Sequence, residues 1–168
     1  MKYIDLHNYL KKIVNYENKE IVIDEKIIVQ NYNFESAYRF LLPGGTGNQD
    51  SYEYCTAADP DYEPDIIQSM INKCDAEIME NIKFRYHLFR PKGDNKVNHV
   101  ILLFHGFNEK YWAKYLTWAK TLVEETGKAV LLFPIAFHMN RAPLSWSDSR
   151  QMFAISQQRK ERHPDVLC

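Results

Sequence analysis

Glycine is scarce in this 168-residue sequence, with six copies at positions 44, 45, 47, 93, 106 and 127. No subset of them has the spacing of a phosphate-cradling G-x-x-x-x-G-K-[ST] loop or of G-x-G-x-x-G. Neither a nucleotide loop nor a dinucleotide fingerprint is present, and no cofactor is expected. No serine sits between glycines four apart, which removes the G-x-S-x-G nucleophile elbow. Cysteine is equally sparse. Cys55, Cys74 and Cys168 form an odd, widely spaced set that defines neither a disulfide framework nor a zinc site, so they read as ordinary thiols. The six histidines contain no H-E-x-x-H pair, and no metal is expected. Neither sign of charge dominates: 21 Lys+Arg face 22 Asp+Glu, which excludes electrostatic capture of nucleic acid. The longest apolar runs, residues 100–104 and 129–136, fall far short of the roughly 18 residues a membrane span needs. Polar residues break up the first eight positions, so no secretory apolar stretch forms. The expectation is a cytoplasmic protein with neither nucleic-acid nor membrane partners.

What the chain does contain is enough apolar material to fold, with 45% hydrophobic and 26% charged residues. Leu6, Leu10, Ile13 and Val14 fall at helical offsets and predict a helix over residues 5–16. Ile21-Val22-Ile23 and Ile27-Ile28-Val29, split by Asp24-Glu25-Lys26, predict a strand or hairpin. Residues 42–64 are dense in turn formers and read as a long loop, and residues 65–79 carry a helical apolar stripe in which Cys74 is a core residue. From Ile82 to Leu88 apolar and basic residues alternate, predicting a half-buried antiparallel strand closed by a turn at Pro91-Lys92-Gly93-Asp94-Asn95. Residues 100–104 are continuously apolar, as a strand buried on both sheet faces must be.

Trp112, Tyr115, Leu116, Ala119, Leu122 and Val123 then form a helical stripe over residues 109–126, with Asn108 as N-cap and Gly127 just past the end. A second apolar strand starts at Ala129. A strand, an amphipathic helix and a strand with no hairpin turn make a βαβ crossover, so these two strands are parallel. A last helix is expected over residues 146–162. The 11 Tyr and 9 Phe lack a basic stripe beside them and are read as packing residues.

The stretch His99-Val100-Ile101-Leu102-Leu103-Phe104-His105-Gly106-Phe107-Asn108-Glu109, with its helix and return strand, resembles the α/β-hydrolase superfamily. In that superfamily the third strand ends in a His-Gly-x turn, enters the first covering helix and returns as the fourth strand. The resemblance spans residue 82 to about residue 162. It implies a partial α/β-hydrolase-like sheet over residues 81–168, preceded by an α+β accessory region over residues 1–80. It also implies ester or amide hydrolysis, with the Phe107 N–H as half of an oxyanion hole, Gly106 allowing close approach and His105 bracing the turn. The free N–H groups of Phe107, Asn108 and Glu109 are expected at a helix N-terminus, where donors and dipole favour an anion.

Asn108 is either a cap or a pocket residue, and His138 and Arg141 are pocket candidates. A second polar set, Ser145, Ser147, Asp148 and Arg150, follows in the same loop. A triad must converge from different elements, so this set is read as turn and cap chemistry. His87 is read as an ordinary polar residue. The superfamily's nucleophile, acid and histidine are all expected downstream, so no catalytic residue is assigned and these residues alone are expected to be inactive. Two alternatives stay open: a non-catalytic binding or interaction module of the same fold, or a shortened product that needs its C-terminal half. A small ester or amide is the expected ligand. A sheet that stops after two parallel strands leaves an unpaired edge, through which two copies would associate.

Overall fold

The computed structural model describes residues 2–37, 78–93, 97–106, 109–148, 150, 153–154 and 156–157. The first helix, α1 (Tyr3–Ile13), has Asp5 in its first turn and Lys11 and Lys12 in its last, each complementing the helix dipole. Its Leu10 is fully buried. A hairpin follows, β1 (Glu20–Val22) and β2 (Ile27–Glu35), paired antiparallel with Val22 opposite Ile28. Its turn is organised by Asp24, whose Oδ1 accepts from the N–H groups of Lys26 and Ile27, both at 2.9 Å. A single helical turn, α2 (Met79–Ile82), leads into β3 (Lys83–Pro91). Then come β4 (Val100–Leu103), helix α3 (Ala113–Thr126) and β5 (Ala129–Leu132), followed by short 3-10 turns at Met139–Arg141 and Leu144–Ser147.

The five strands form one mixed sheet in the order β1-β2-β3-β5-β4. β2 and β3 pair antiparallel along their whole lengths, from Ile27 opposite Pro91 to Glu35 opposite Lys83. β3 is antiparallel to β5, and β5 is parallel to β4. The βαβ crossover expected from the periodicity is therefore present as β4, α3 and β5. The boundary placed at residue 80 does not break the sheet, because the first 35 residues supply two of its strands and the helix that packs on α3.

Side chains alternate across a pleat, so the register sorts them into two faces. On one face lie the cross-sheet rows Val29, Phe89, Val130, Ile101 and Asn31, His87, Leu132, Leu103. Helices α1 and α3 cover this face. Val29, Phe89, Val130 and Leu132 are fully buried against Leu10, Trp112, Tyr115, Leu116, Ala119 and Val123. On the opposite face Tyr32 stacks on Tyr86 at 5.5 Å, while Phe34, Phe84 and Phe133 form a mutual ring cluster with centroids 5.0 to 5.6 Å apart.

Three expectations change. β4 is not buried on both faces: Val100 and Leu102 are 51% and 56% exposed, because among the described residues β4 ends the sheet and the helices lie on its other side. β2 runs on to Glu35, well past the apolar triplet that announced it. Helix α3 starts at Ala113 rather than near residue 109, because Trp112 is drawn onto the core, where its Nε1–H donates to the Tyr16 hydroxyl at 3.0 Å. On the same helix Lys120 is buried. It forms ion pairs with Glu124 and, at 3.2 Å, with Asp24 Oδ2, and these raise its pKa against the opposing pull of burial. The C-terminal stop of α3 is as expected, with Gly127 at φ 66° donating its N–H to the Val123 carbonyl. The loop over residues 42–64, most of the helix over 65–79, all three cysteines and most of the helix over 146–162 lie outside the described residues.

Candidate functional site

Open parallel strands present ligands at their carboxyl ends. Here that end holds the His105-Gly106 turn after β4, the loop over 133–141 after β5, and the residues of antiparallel β3 that lie beside them. His105 is buried and clamps the two loops together. Its Nε2 accepts the N–H of Ile135 at 3.0 Å, which puts the proton on Nδ1, from where it donates to the Gly106 carbonyl at 2.9 Å. Burial lowers the pKa of His105, although the Gly106 carbonyl pulls the other way, so the ring is a neutral brace.

The N–H of Gly106 is not available to a ligand, because it donates to the Tyr115 hydroxyl at 2.7 Å. Nor does the site demand a glycine: a Cβ there would meet Glu109 Cγ and the Tyr115 hydroxyl at 3.5 Å, ordinary contact distance. Phe107 and Asn108 lie outside the described residues. The N–H of Glu109 turns back onto the Gly106 carbonyl at 3.1 Å, and helix α3 begins four residues later. For Glu109 the expectation of a free amide on a helix N-terminus is thereby corrected, since it is part of a closed turn that precedes the helix.

Beside this turn is a cleft of about 1090 Å³, walled by α1 and its following loop, by β3, by residues 109–116 and by the loop after β5. His138 lines it, with its ring 5.4 Å from that of His105 and its Nδ1 2.8 Å from the Ala136 carbonyl. Phe137 and Met139, the residues on either side of His138, have φ of 59° and 52°, a left-handed conformation that costs a non-glycine residue on the order of 1 kcal/mol or more. The surroundings impose it. The N–H of Phe137 donates to Asn81 Oδ1, and Asn140 Nδ2 donates to the Arg85 carbonyl at 2.8 Å.

Arg141 is placed outside the cleft. Its guanidinium donates to the carbonyls of Pro134 and Asn81 and lies 4.3 Å from the ring centroid of Phe84, so it ties the loop to the aromatic face. Asp148 Oδ1 accepts the N–H of Arg150 at 2.9 Å, a local turn as the sequence suggests. Among the described residues no group of three or more His, Cys, Asp or Glu side chains is placed to hold a metal ion. None of the described helices is long and apolar enough to cross a membrane.

The histidine that sequence reasoning passed over is His87. It is 3% exposed, lines the cleft, and lies in the same cross-sheet row as Asn31. Its Nδ1 is 2.5 Å from Asn31 Oδ1, and the Tyr16 ring stacks on its imidazole at 4.1 Å with the planes 7° apart. Burial lowers the His87 pKa to about 3. Burial also raises Tyr16 to about 12, against the opposing hydrogen bond from Trp112. A usable signal existed: His87 is two positions from Phe89, so period-two alternation puts both on the buried face.

The chain belongs to DUF6051. The model of this family, described as a family of unknown function, matches residues 1–167. No curated protein and no solved structure matches the chain. The cleft of this DUF6051 protein is accordingly read from its own geometry.

Proposed function

We propose that the protein is α/β-hydrolase-like and uses the cleft beside the His105 turn to bind a small amide or ester, which these 168 residues hold without hydrolysing. The observation that carries the reading is the His105 clamp, which joins the ends of two parallel strands and fixes the wall of a cleft of about 1090 Å³. The order of elements supports it too: an antiparallel strand, then a strand ending in His-Gly, a covering helix and a parallel return strand, as the resemblance requires.

Several features speak for binding rather than turnover. The sequence has no glycine-flanked serine, and the Gly106 amide is already engaged. An imidazole with a pKa of about 3 is too weak a base to take a proton near neutrality. Loss of a triad nucleophile costs on the order of 10⁶ in kcat. The test is hydrolysis of 4-nitrophenyl acetate by the purified chain, with release of 4-nitrophenol expected at the buffer rate. Saturable turnover that disappears in His138→Ala or Ser145→Ala would overturn the reading.

The edge of the sheet favours a second reading, as an interaction module. Among the described residues β4 ends the sheet, and it exposes Val100 and Leu102, with neither proline nor charge within the strand to discourage pairing. Light scattering on Leu102→Lys separates the two. A dimer that dissociates in the variant supports association through β4, and a monomer in both leaves the cleft as the functional feature.

A further inference from the structure

The amide of Asn31 is oriented by the loop that follows α1. Its Nδ2 donates to the carbonyls of Asn15 and Asn18, each at 2.6 Å, so the opposite atom, facing His87 Nδ1 at 2.5 Å, has to be the carbonyl oxygen. A carbonyl oxygen accepts and cannot donate, so the imidazole proton is on Nδ1. Nε2 is therefore left with a bare lone pair, and it makes no hydrogen bond among the described residues. The ring is held in place by the stacked Tyr16, whose hydroxyl is itself engaged by Trp112. Strands, helix and loop thus cooperate to present one fixed acceptor in a largely apolar cleft, where Val14, Leu116, Phe137, Met139 and Trp146 supply the surroundings.

The chemistry of that acceptor selects its ligand. An anion is disfavoured by a lone pair on a neutral ring whose only N–H is spent on Asn31. Among the described residues of the cleft wall the charges balance in sign, with Lys11 and Lys110 against Glu80 and Glu109, so their net charge favours neither ion. Simple esters carry no donor, whereas amides, alcohols and phenols do. We propose that the cleft binds an uncharged aromatic molecule whose O–H or N–H donates to His87 Nε2 while its ring packs among the cleft's aromatic and aliphatic side chains. A buried imidazole that stays neutral down to about pH 3 keeps this acceptor constant across the physiological range. The inference rests on the cleft being the ligand site and deepens that reading by naming the ligand class. It does not depend on the hydrolase resemblance.

The test compares 2-naphthol with its methyl ether, which has the same rings and no donor, by NMR titration of the whole ¹⁵N-labelled chain at pH 7. Binding of 2-naphthol is expected to shift the His87 Nε2 and Trp112 Nε1 resonances, with the ether roughly tenfold weaker, the factor one hydrogen bond contributes. In His87→Phe the two probes should bind alike, and if that variant does not fold, the wild-type ratio still decides. Equal affinities for the wild type, or naphthol binding that leaves both resonances unmoved, would overturn the proposal. Turnover of 4-nitrophenyl acetate would defeat the non-hydrolytic reading while leaving this ratio intact, so the two failures are distinguishable.

Discussion

On the helix-covered face of the sheet, Val29, Phe89, Val130 and Leu132 lose essentially all contact with water, whereas one position along the same strands Tyr32 and Phe34 keep 38% of their surface exposed. Both faces carry large apolar side chains, and both are set by the same register. The difference is that α1 and α3 close over one of them, while among the described residues the other is held mainly by ring-to-ring contact and by the Arg141 guanidinium against Phe84. Aromatic content alone therefore says little about where stability resides. On the covered face the row that begins with apolar Leu103 and Leu132 ends in His87 and Asn31, and His87 lines the cleft.

The sharpest way to break this comparison is to truncate matching side chains on the two faces. Phe89→Ala should cost about 3 to 5 kcal/mol in chemical denaturation, since a fully buried ring leaves both lost transfer energy and a cavity. Acid comes next. The folded His87 titrates near 3 and the unfolded one near 6.5, so below 6.5 the unfolded chain takes up a proton the folded chain refuses. Stability present above pH 6.5 is then lost as the pH falls towards 3, by on the order of a few kcal/mol, and the buried His105 acts in the same direction. Urea midpoints at pH 7, 5.5 and 4 should fall steadily, with a shallower slope in His87→Phe. Asp24 does not obscure this window. Burial would raise its carboxyl, but the Lys26 amide and Lys120 hold it below the usual 3.8, so its contribution is lost only at stronger acidity.

A smaller effect is expected at the turn, where Tyr115→Phe removes the acceptor of the Gly106 amide. The cost should be about 1 kcal/mol, and hydrogen exchange at Gly106 should accelerate while that of the α3 interior does not. Smallest of all, Phe34→Ala should cost about 1 kcal/mol or less, in keeping with a partly exposed member of a ring cluster. A loss matching that of Phe89→Ala would mean that the aromatic face is as well covered in solution as the helical one.

Much of this architecture was legible in the sequence because it is local. Periodicity at Leu6, Leu10 and Ile13, at the β-branched triplets flanking Asp24, and along Tyr115, Leu116, Ala119 and Val123 gave the helices, the hairpin and the crossover. What escaped was decided by contacts between distant segments. Asn108 resembles an N-cap, but the seating of Trp112 on Tyr16 and His105 delays α3 to Ala113. The end of β2 mixes amides with aromatics, and only pairing with β3 makes it a strand. The Asn31–His87 contact joins residues 56 apart through a register that no single segment encodes. For His105 a bracing role is what the α/β-hydrolase resemblance implies, and its ring makes two hydrogen bonds, to the Gly106 carbonyl and from the Ile135 N–H.

One carboxylate also ties distant parts of the chain to each other. Asp24 gathers the hairpin amides with Oδ1 and meets Lys120 with Oδ2, so a tight local bend and a helix from the far half of the polypeptide share a single counter-charge. Lys120 also pairs with Glu124 on its own helix, so the ammonium is shared between a local partner and the hairpin. A change at Asp24 is therefore felt in the hairpin turn and at the helix together.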